Sequence, residues 1–176
     1  ELAERISSLA IKGIYVDAEP NRFYPLGPLA SNVLGFVGPK NDEVGDEGKY
    51  GLELFYEESL RGKHGEIVEG EIIRPAPGED LVLTIDPNIE IEAEKILGNL
   101  VEKYDADGGS VIVMDPKTGK ILAMGSRPNF DPNSYSKSSL SYFLNPVVQQ
   151  IYEPGSVFKV ITMAAGIDSG KIAPDT

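Results

Sequence analysis

Apolar and polar positions change rhythm several times along the chain, and each rhythm predicts an element. Leu2, Ile6 and Leu9 recur at three- and four-residue steps, as on one face of a helix within residues 1–12 that Gly13 stops. Ile14-Tyr15-Val16 then reads as a short strand, and Leu29–Phe36 as a short apolar helical run. Residues 39–51, with Pro39, Asn41, Gly45, Gly48 and Gly51 among acids, have the composition of a loop. Leu52–Leu60 is amphipathic and helical, closed by Gly62, whereas Glu66–Ile73 alternates apolar and charged residues as an exposed strand does. The segment Arg74-Pro75-Ala76-Pro77-Gly78 can continue neither a helix nor a central strand, so it divides the chain into residues 1–77 and 78–176.

Beyond that boundary the signals are stronger. Leu81–Ile85 is a short strand by pattern. Asp86-Pro87 opens a helix with proline in its first turn, and Ile89, Ala93, Ile96, Leu97 and Leu100 supply an apolar face. Ser110–Met114 and Lys120–Gly125 are apolar runs joined by Asp115-Pro116-Lys117-Thr118-Gly119, a hairpin with Pro and Gly where a tight turn demands them. Residues 126–150 predict a long loop with a short helix near 140–150. Glu153-Pro154-Gly155 breaks the chain, and Ser156–Asp168 restarts as a helix that ends at Gly170. There are no internal repeats. Strands and helices mixed in this way define an α+β chain.

Charge narrows the function classes. The 176 residues carry 16 Lys+Arg against 28 Asp+Glu, a net charge of −12. Each side of residue 78 contributes eight basic and fourteen acidic residues, so the acidity is spread evenly. Nucleic acid needs a clustered basic surface and is excluded as the main partner. No run approaches the roughly 20 apolar residues of a membrane-spanning helix. With no Cys and one His, His64, there is neither a thiolate nucleophile nor a His-rich metal site, nor the makings of a Ser-His-Asp triad. His64 itself, between Lys63 and Gly65, reads as a solvated loop residue. Glu53, Glu57 and Glu58 read as a solvated helix face, and Tyr15, Phe23, Tyr24, Phe55 and Tyr56 as the small core of the first segment.

One window departs from this uniformity. Residues 128–167 hold only Asp131, Lys137, Glu153 and Lys159 as charged groups, against a chain-wide 25%. A charge-poor window in an acidic protein is expected to be buried or to build a pocket. Within it, Ser156-Val157-Phe158-Lys159 opens a predicted helix, and residues three apart on a helix share a face. A serine hydroxyl becomes nucleophilic once a base takes its proton, and a neutral Lys can serve. Val157, Phe158, Val160, Ile161 and Met163 offer the apolar surroundings that favour a neutral amine. Backbone N–H groups in the first helical turn suit an oxyanion.

S-x-x-K alone is common in helices, but its neighbours are not. Tyr152-Glu153-Pro154-Gly155-Ser156-Val157-Phe158-Lys159 resembles the active-site entry of penicillin-binding proteins. Upstream, Leu83-Thr84-Ile85-Asp86, Val113–Met124 and Pro128–Asn133 follow in that family's order. Arg22-Phe23-Tyr24-Pro25, Gly35-Phe36-Val37-Gly38 and Gly51-Leu52-Glu53 through Leu60-Arg61-Gly62 look like the pedestal of its monofunctional, class B members. The resemblance implies a dimerisation-type pedestal over 1–77 and the first strands and helices of a transpeptidase domain over 78–176. It implies a peptidoglycan D,D-transpeptidase with Ser156 as acylated nucleophile and Lys159 as general base, using no metal or cofactor. The implied partners are stem peptides ending in D-Ala-D-Ala, β-lactams and membrane-embedded cell-wall synthesis proteins, with a homo-oligomer left open. The implied place is the extracytoplasmic face of a bacterial membrane, with a single-pass anchor outside this sequence.

Lys117-Thr118-Gly119 spells another box of this superfamily, but it precedes the serine and reads as turn chemistry. The family's S-x-N and K-T-G boxes are expected beyond Thr176, so the chain alone is expected to be inactive. Two rivals remain at this level: a pedestal module that docks partners, and a serine β-lactamase or β-lactam sensor, which has no need of the first segment.

Overall fold

The computed structural model describes residues 2–15, 21–41, 45–63, 65–68 and 71–175. Its first helix, α1 (Leu2–Ser8), matches the periodicity of the opening residues. Ile14 and Tyr15 form no strand and are exposed, Tyr15 to 93%; Val16 and His64 lie outside the described residues. The apolar run around residue 30 forms one turn, α2 (Ser31–Leu34). Part of the expected 39–51 loop is instead a hairpin, β1 (Val37–Pro39) with β2 (Asp46–Gly48), in the register Val37↔Gly48 and Pro39↔Asp46. Backbone pairing needs no apolar alternation, so composition did not reveal it.

The helix expected over Leu52–Leu60 is broken at Tyr56 (φ −106°, ψ 21°) into α3 (Gly51–Phe55) and α4 (Glu57–Leu60). β3 (Glu66–Val68) and β4 (Glu71–Ile73) pair antiparallel. The proline segment that follows is stitched back onto this region. Lys63 and Ala76 exchange backbone hydrogen bonds of 2.9 and 3.0 Å, and Glu79 N donates to Ser59 O at 2.8 Å.

Leu81–Ile85, a strand by its pattern, forms no regular element. Its anchors are Thr84 Oγ1 donating to Ile121 O (2.6 Å) and Asp86 N donating to Leu122 O (2.8 Å). Asp86 then caps α5 (Pro87–Lys103), its carboxylate accepting from Asn88 N and Ile89 N, with Pro87 in the first turn. The helix lies across the hairpin of β5 (Gly109–Met114) and β6 (Ile121–Arg127). The turn is fixed as its residues predict. Asp115 accepts from Lys117 N and Thr118 Oγ1, Gly119 takes φ +73°, and Gly119 N donates to Asp115 O at 2.8 Å. After β6 come short 3-10 segments at Pro132–Lys137 and Leu140–Tyr142, then α6 (Pro146–Gln149). A 3-10 turn over Gly155–Phe158 leads into α7 (Lys159–Asp168).

The core is a cluster of rings drawn from both sides of residue 77: Tyr24 and Phe36 with Phe130 and Phe143, flanked by Tyr50 and Tyr135. Phe36 stacks on Tyr135 (centroids 4.1 Å, 15°) and meets Phe143 edge-on (4.8 Å, 66°), arrangements worth roughly 0.5–1.5 kcal/mol per pair beyond burial. The core predicted for the first segment is therefore corrected. Of its five aromatics only Tyr24 is buried, while Phe23 and Phe55 are largely exposed because their own short elements offer no facing layer.

Side-chain amides bind the same halves together. Asn133 pairs with both backbone groups of Tyr24, accepting from its N at 2.9 Å and donating to its O at 2.8 Å. Asn32 donates to Tyr142 O and Leu144 O and accepts from Ser126 Oγ at 2.7 Å.

Glu53 corrects the expectation of a solvated acidic face. It is buried, accepting from Arg22 Nε at 2.7 Å and from the Tyr24 hydroxyl at 3.2 Å. Glu57 is half-buried and accepts from Gly48 N; Glu58 alone of the three is exposed. Short, tightly folded elements bring backbone and cationic donors to these carboxylates, which single-helix reasoning does not foresee. The Tyr24 hydroxyl also accepts from Val37 N at 3.0 Å, and burial, with the Glu53 charge, holds it protonated well above the ordinary tyrosine range. Tyr24→Phe is expected to cost about 1–3 kcal/mol in chemical denaturation, because Val37 N–H loses its acceptor in a half-dry site. A change within a few tenths of a kcal/mol would show that water replaces the hydroxyl.

Candidate active site

The serine helix is built by local chemistry. Pro154 and Gly155 (φ +57°) turn the chain, the 3-10 turn begins, and Lys159 N donates to Ser156 O and Val157 O as α7 takes over. Residues i and i+3 nearly eclipse in a 3-10 turn, so Ser156 and Lys159 stand one above the other on the backbone. The side chains are not joined: no hydrogen bond links the Ser156 hydroxyl to the Lys159 amine among the described residues. One of the N–H groups expected to face an oxyanion is already engaged, since Val157 N donates to Pro154 O at 3.3 Å.

The expected burial is also corrected. Phe130 and Phe143, early in the charge-poor window, do enter the core. Residues 155–165, by contrast, are exposed throughout, Val157 to 73% and Val160 to 71%. Apolar residues dry a lysine only if a second surface closes over them, and among the described residues the main packing partner of α7 is the 3-10 turn before it. Lys159 is exposed with them. The outward face of β5 is likewise uncovered at Ile112 and Met114.

A cleft of about 730 Å³ lies elsewhere, with Ser110, Arg127, Tyr142, Pro146 and Gln149 in its wall and neither Ser156 nor Lys159. Lys117-Thr118-Gly119 sits in the β5–β6 turn. Among the described residues no three His, Cys, Asp or Glu side chains come together as a metal site. No helix there is long and apolar enough to cross a membrane.

Sequence reasoning missed the buried carboxylates Glu90 and Glu94 on α5. Their signal was present: residues 90, 93, 94 and 97 follow the spacing of one face, and that face, with Ala93 and Leu97, is the buried one. Ile96 and Leu100, assigned to the apolar face, are exposed.

Residues 1–83 match the penicillin-binding protein dimerisation domain, and residues 109–176 match the penicillin-binding protein transpeptidase domain. Stage V sporulation protein D of Bacillus subtilis is 38% identical across 98% of the chain and 28% of its own length. A probable peptidoglycan D,D-transpeptidase PenA of Neisseria meningitidis is 33% identical across 97% of the chain and 31% of its length. A peptidoglycan D,D-transpeptidase FtsI homolog of Mesostigma viride is 34% identical across 98% and 30%. The chain belongs to the class B penicillin-binding proteins, combining the pedestal with the start of the transpeptidase domain in an α+β fragment. It spans less than a third of the length of these relatives.

Proposed function

We propose that this chain is part of a peptidoglycan D,D-transpeptidase of cell-wall synthesis, in which Ser156 is the nucleophile and Lys159 its base. The observation that carries the reading is the Ser156/Lys159 spacing at a glycine-initiated helix start, inside the segment that matches a transpeptidase domain. Ser156 Oγ attacks the carbonyl of the penultimate D-Ala of a stem peptide while Lys159 Nζ accepts its proton. The terminal D-Ala leaves, taking a proton on its amine, and the acyl-enzyme then passes to an amine of a neighbouring strand. A β-lactam acylates the same hydroxyl by opening its ring.

On this reading residues 1–77 form the pedestal and 78–176 the start of the catalytic domain. The pedestal is the surface toward membrane-embedded wall-synthesis partners, on the outer face of a bacterial membrane. The match of residues 1–83 to a dimerisation domain favours this over a β-lactamase or sensor.

Fluorescent penicillin tests it. The 176-residue chain is expected not to label stably, since Ser156 and Lys159 are solvated. The longer protein is expected to label at Ser156. Absence of label there, or rapid turnover of the drug, would sink the transpeptidase reading.

A further inference from the structure

Glu90 is fully buried, and its two oxygens fare differently. Oε2 accepts from Met124 N of β6 at 2.7 Å, while Oε1 is buried with no donor. An ionised carboxylate does not stay buried with one oxygen bare. The neighbour of Glu90 is the side chain of Glu94. A β-carbon added at Gly125 would meet Glu90 Oε1 at 3.2 Å and Glu94 Cγ at 2.7 Å, so both side chains converge over this one glycine of β6.

Glu94, also buried, is well supplied as an anion. Its Oε1 accepts from Ala30 N at 2.8 Å, and its Oε2 accepts from Arg127 Nη1 at 2.9 Å and Asn129 Nδ2 at 3.2 Å. Among the described residues no second cation pairs with either carboxyl group. β5 and α2 carry no titratable side chain, and Arg127 is the charged residue of β6. On α5 itself, Lys95 pairs with Glu92 on the exposed side and the Asp86 carboxylate is engaged at the cap. One arginine thus balances one of two buried carboxyl groups.

We infer that Glu90 is held as a neutral carboxylic acid and donates its proton to Glu94, making a proton-dependent clasp between α5, β6 and the backbone ahead of α2. Burial first, then the charge of Glu94 and hydrogen bonding to it, raise the Glu90 carboxyl above its ordinary range, against the opposing hydrogen bond from Met124 N. The folded state therefore holds a proton that the unfolded chain releases near the ordinary carboxyl value of about 4.3. The clasp contributes fully below that value and is lost as pH rises through the higher folded-state value. The inference is independent of the catalytic reading.

Infrared spectroscopy of the 176-residue chain, with thermal melts from pH 5 to 9, tests it. The wild type is expected to show the carbonyl band of a buried protonated carboxyl group at neutral pH, absent from Glu90→Gln. The glutamine amide supplies the donor at every pH, so the variant's Tm is expected to gain on the wild type as pH rises, by roughly 2–4 °C at pH 8. Glu94→Gln replaces one of the two acceptor oxygens by an amide donor and removes the charge, and is expected to shift the band or abolish it. No band lost with Glu90→Gln, a Tm difference independent of pH, or a band untouched by Glu94→Gln would each overturn the inference.

Discussion

Ser156→Ala in the longer protein is expected to reduce acylation by a penicillin by about 10⁴-fold or more, the scale on which loss of a covalent nucleophile registers. No neighbouring group can substitute, because among the described residues the helix start offers no second hydroxyl or thiol between Pro154 and Lys159. Lys159 gives the finer test. Lys159→Ala is expected to cost about 10²–10⁴-fold, as removal of a general base does. Lys159→Arg keeps the positive charge but cannot give up its proton. If Lys159 acts as a base, the arginine variant is as poor as alanine; if it merely anchors a carboxylate by charge, arginine restores much of the rate and the proposed role fails. Second-order acylation rates for the three variants, with intact melting profiles, decide between these outcomes.

The second large effect is structural. Gly35→Ala is expected to destabilise the chain by roughly 3–6 kcal/mol, a large fraction of the about 5–15 kcal/mol that holds a domain folded. Gly35 sits at φ +75°, ψ −151°, a region that costs a residue with a side chain about 1–3 kcal/mol. A β-carbon there would also lie 1.8 Å from Tyr50 O, so the start of α3 must move. That movement carries Tyr50 away from Phe36, with which it stacks at 5.5 Å. Gly119→Ala is the control, since φ is also positive (+73°) but the space is open; only about 1–2 kcal/mol is expected. Equal losses in urea titrations of the two variants would show that backbone strain, not the close approach, dominates at Gly35.

What the residues disclosed in advance was local. α5 announces itself by the Asp86-Pro87 cap, and the β5–β6 hairpin by the Asp115–Gly119 turn. The serine helix follows from Pro154-Gly155, because each signal is complete within a few residues. The ring cluster was not legible, since Phe36 and Phe130 are adjacent only after the chain has closed a long loop. Glu53 runs against its solvated reading, and Glu90 and Glu94 escape notice, because a charged side chain is assigned to water unless its buried donors are known, and those donors are Arg22, Met124 N, Ala30 N and Arg127. The apolar residues around Ser156 predict a dry pocket. Hydrophobicity gives a face its preference, but drying needs a second face, and among the described residues the apolar side chains of α7 stay exposed.

The ring cluster also bears on how such chains can be recombined. Tyr24, Phe36 and Tyr50 precede residue 77, while Phe130, Tyr135 and Phe143 follow it, so neither half owns a finished interior. A hybrid joining the pedestal of one relative to the catalytic start of another inherits two half-interiors shaped by different histories. The seam that matters in such a graft is the set of facing rings, together with Asn32 and Asn133, and not the proline segment where the backbone is easiest to cut.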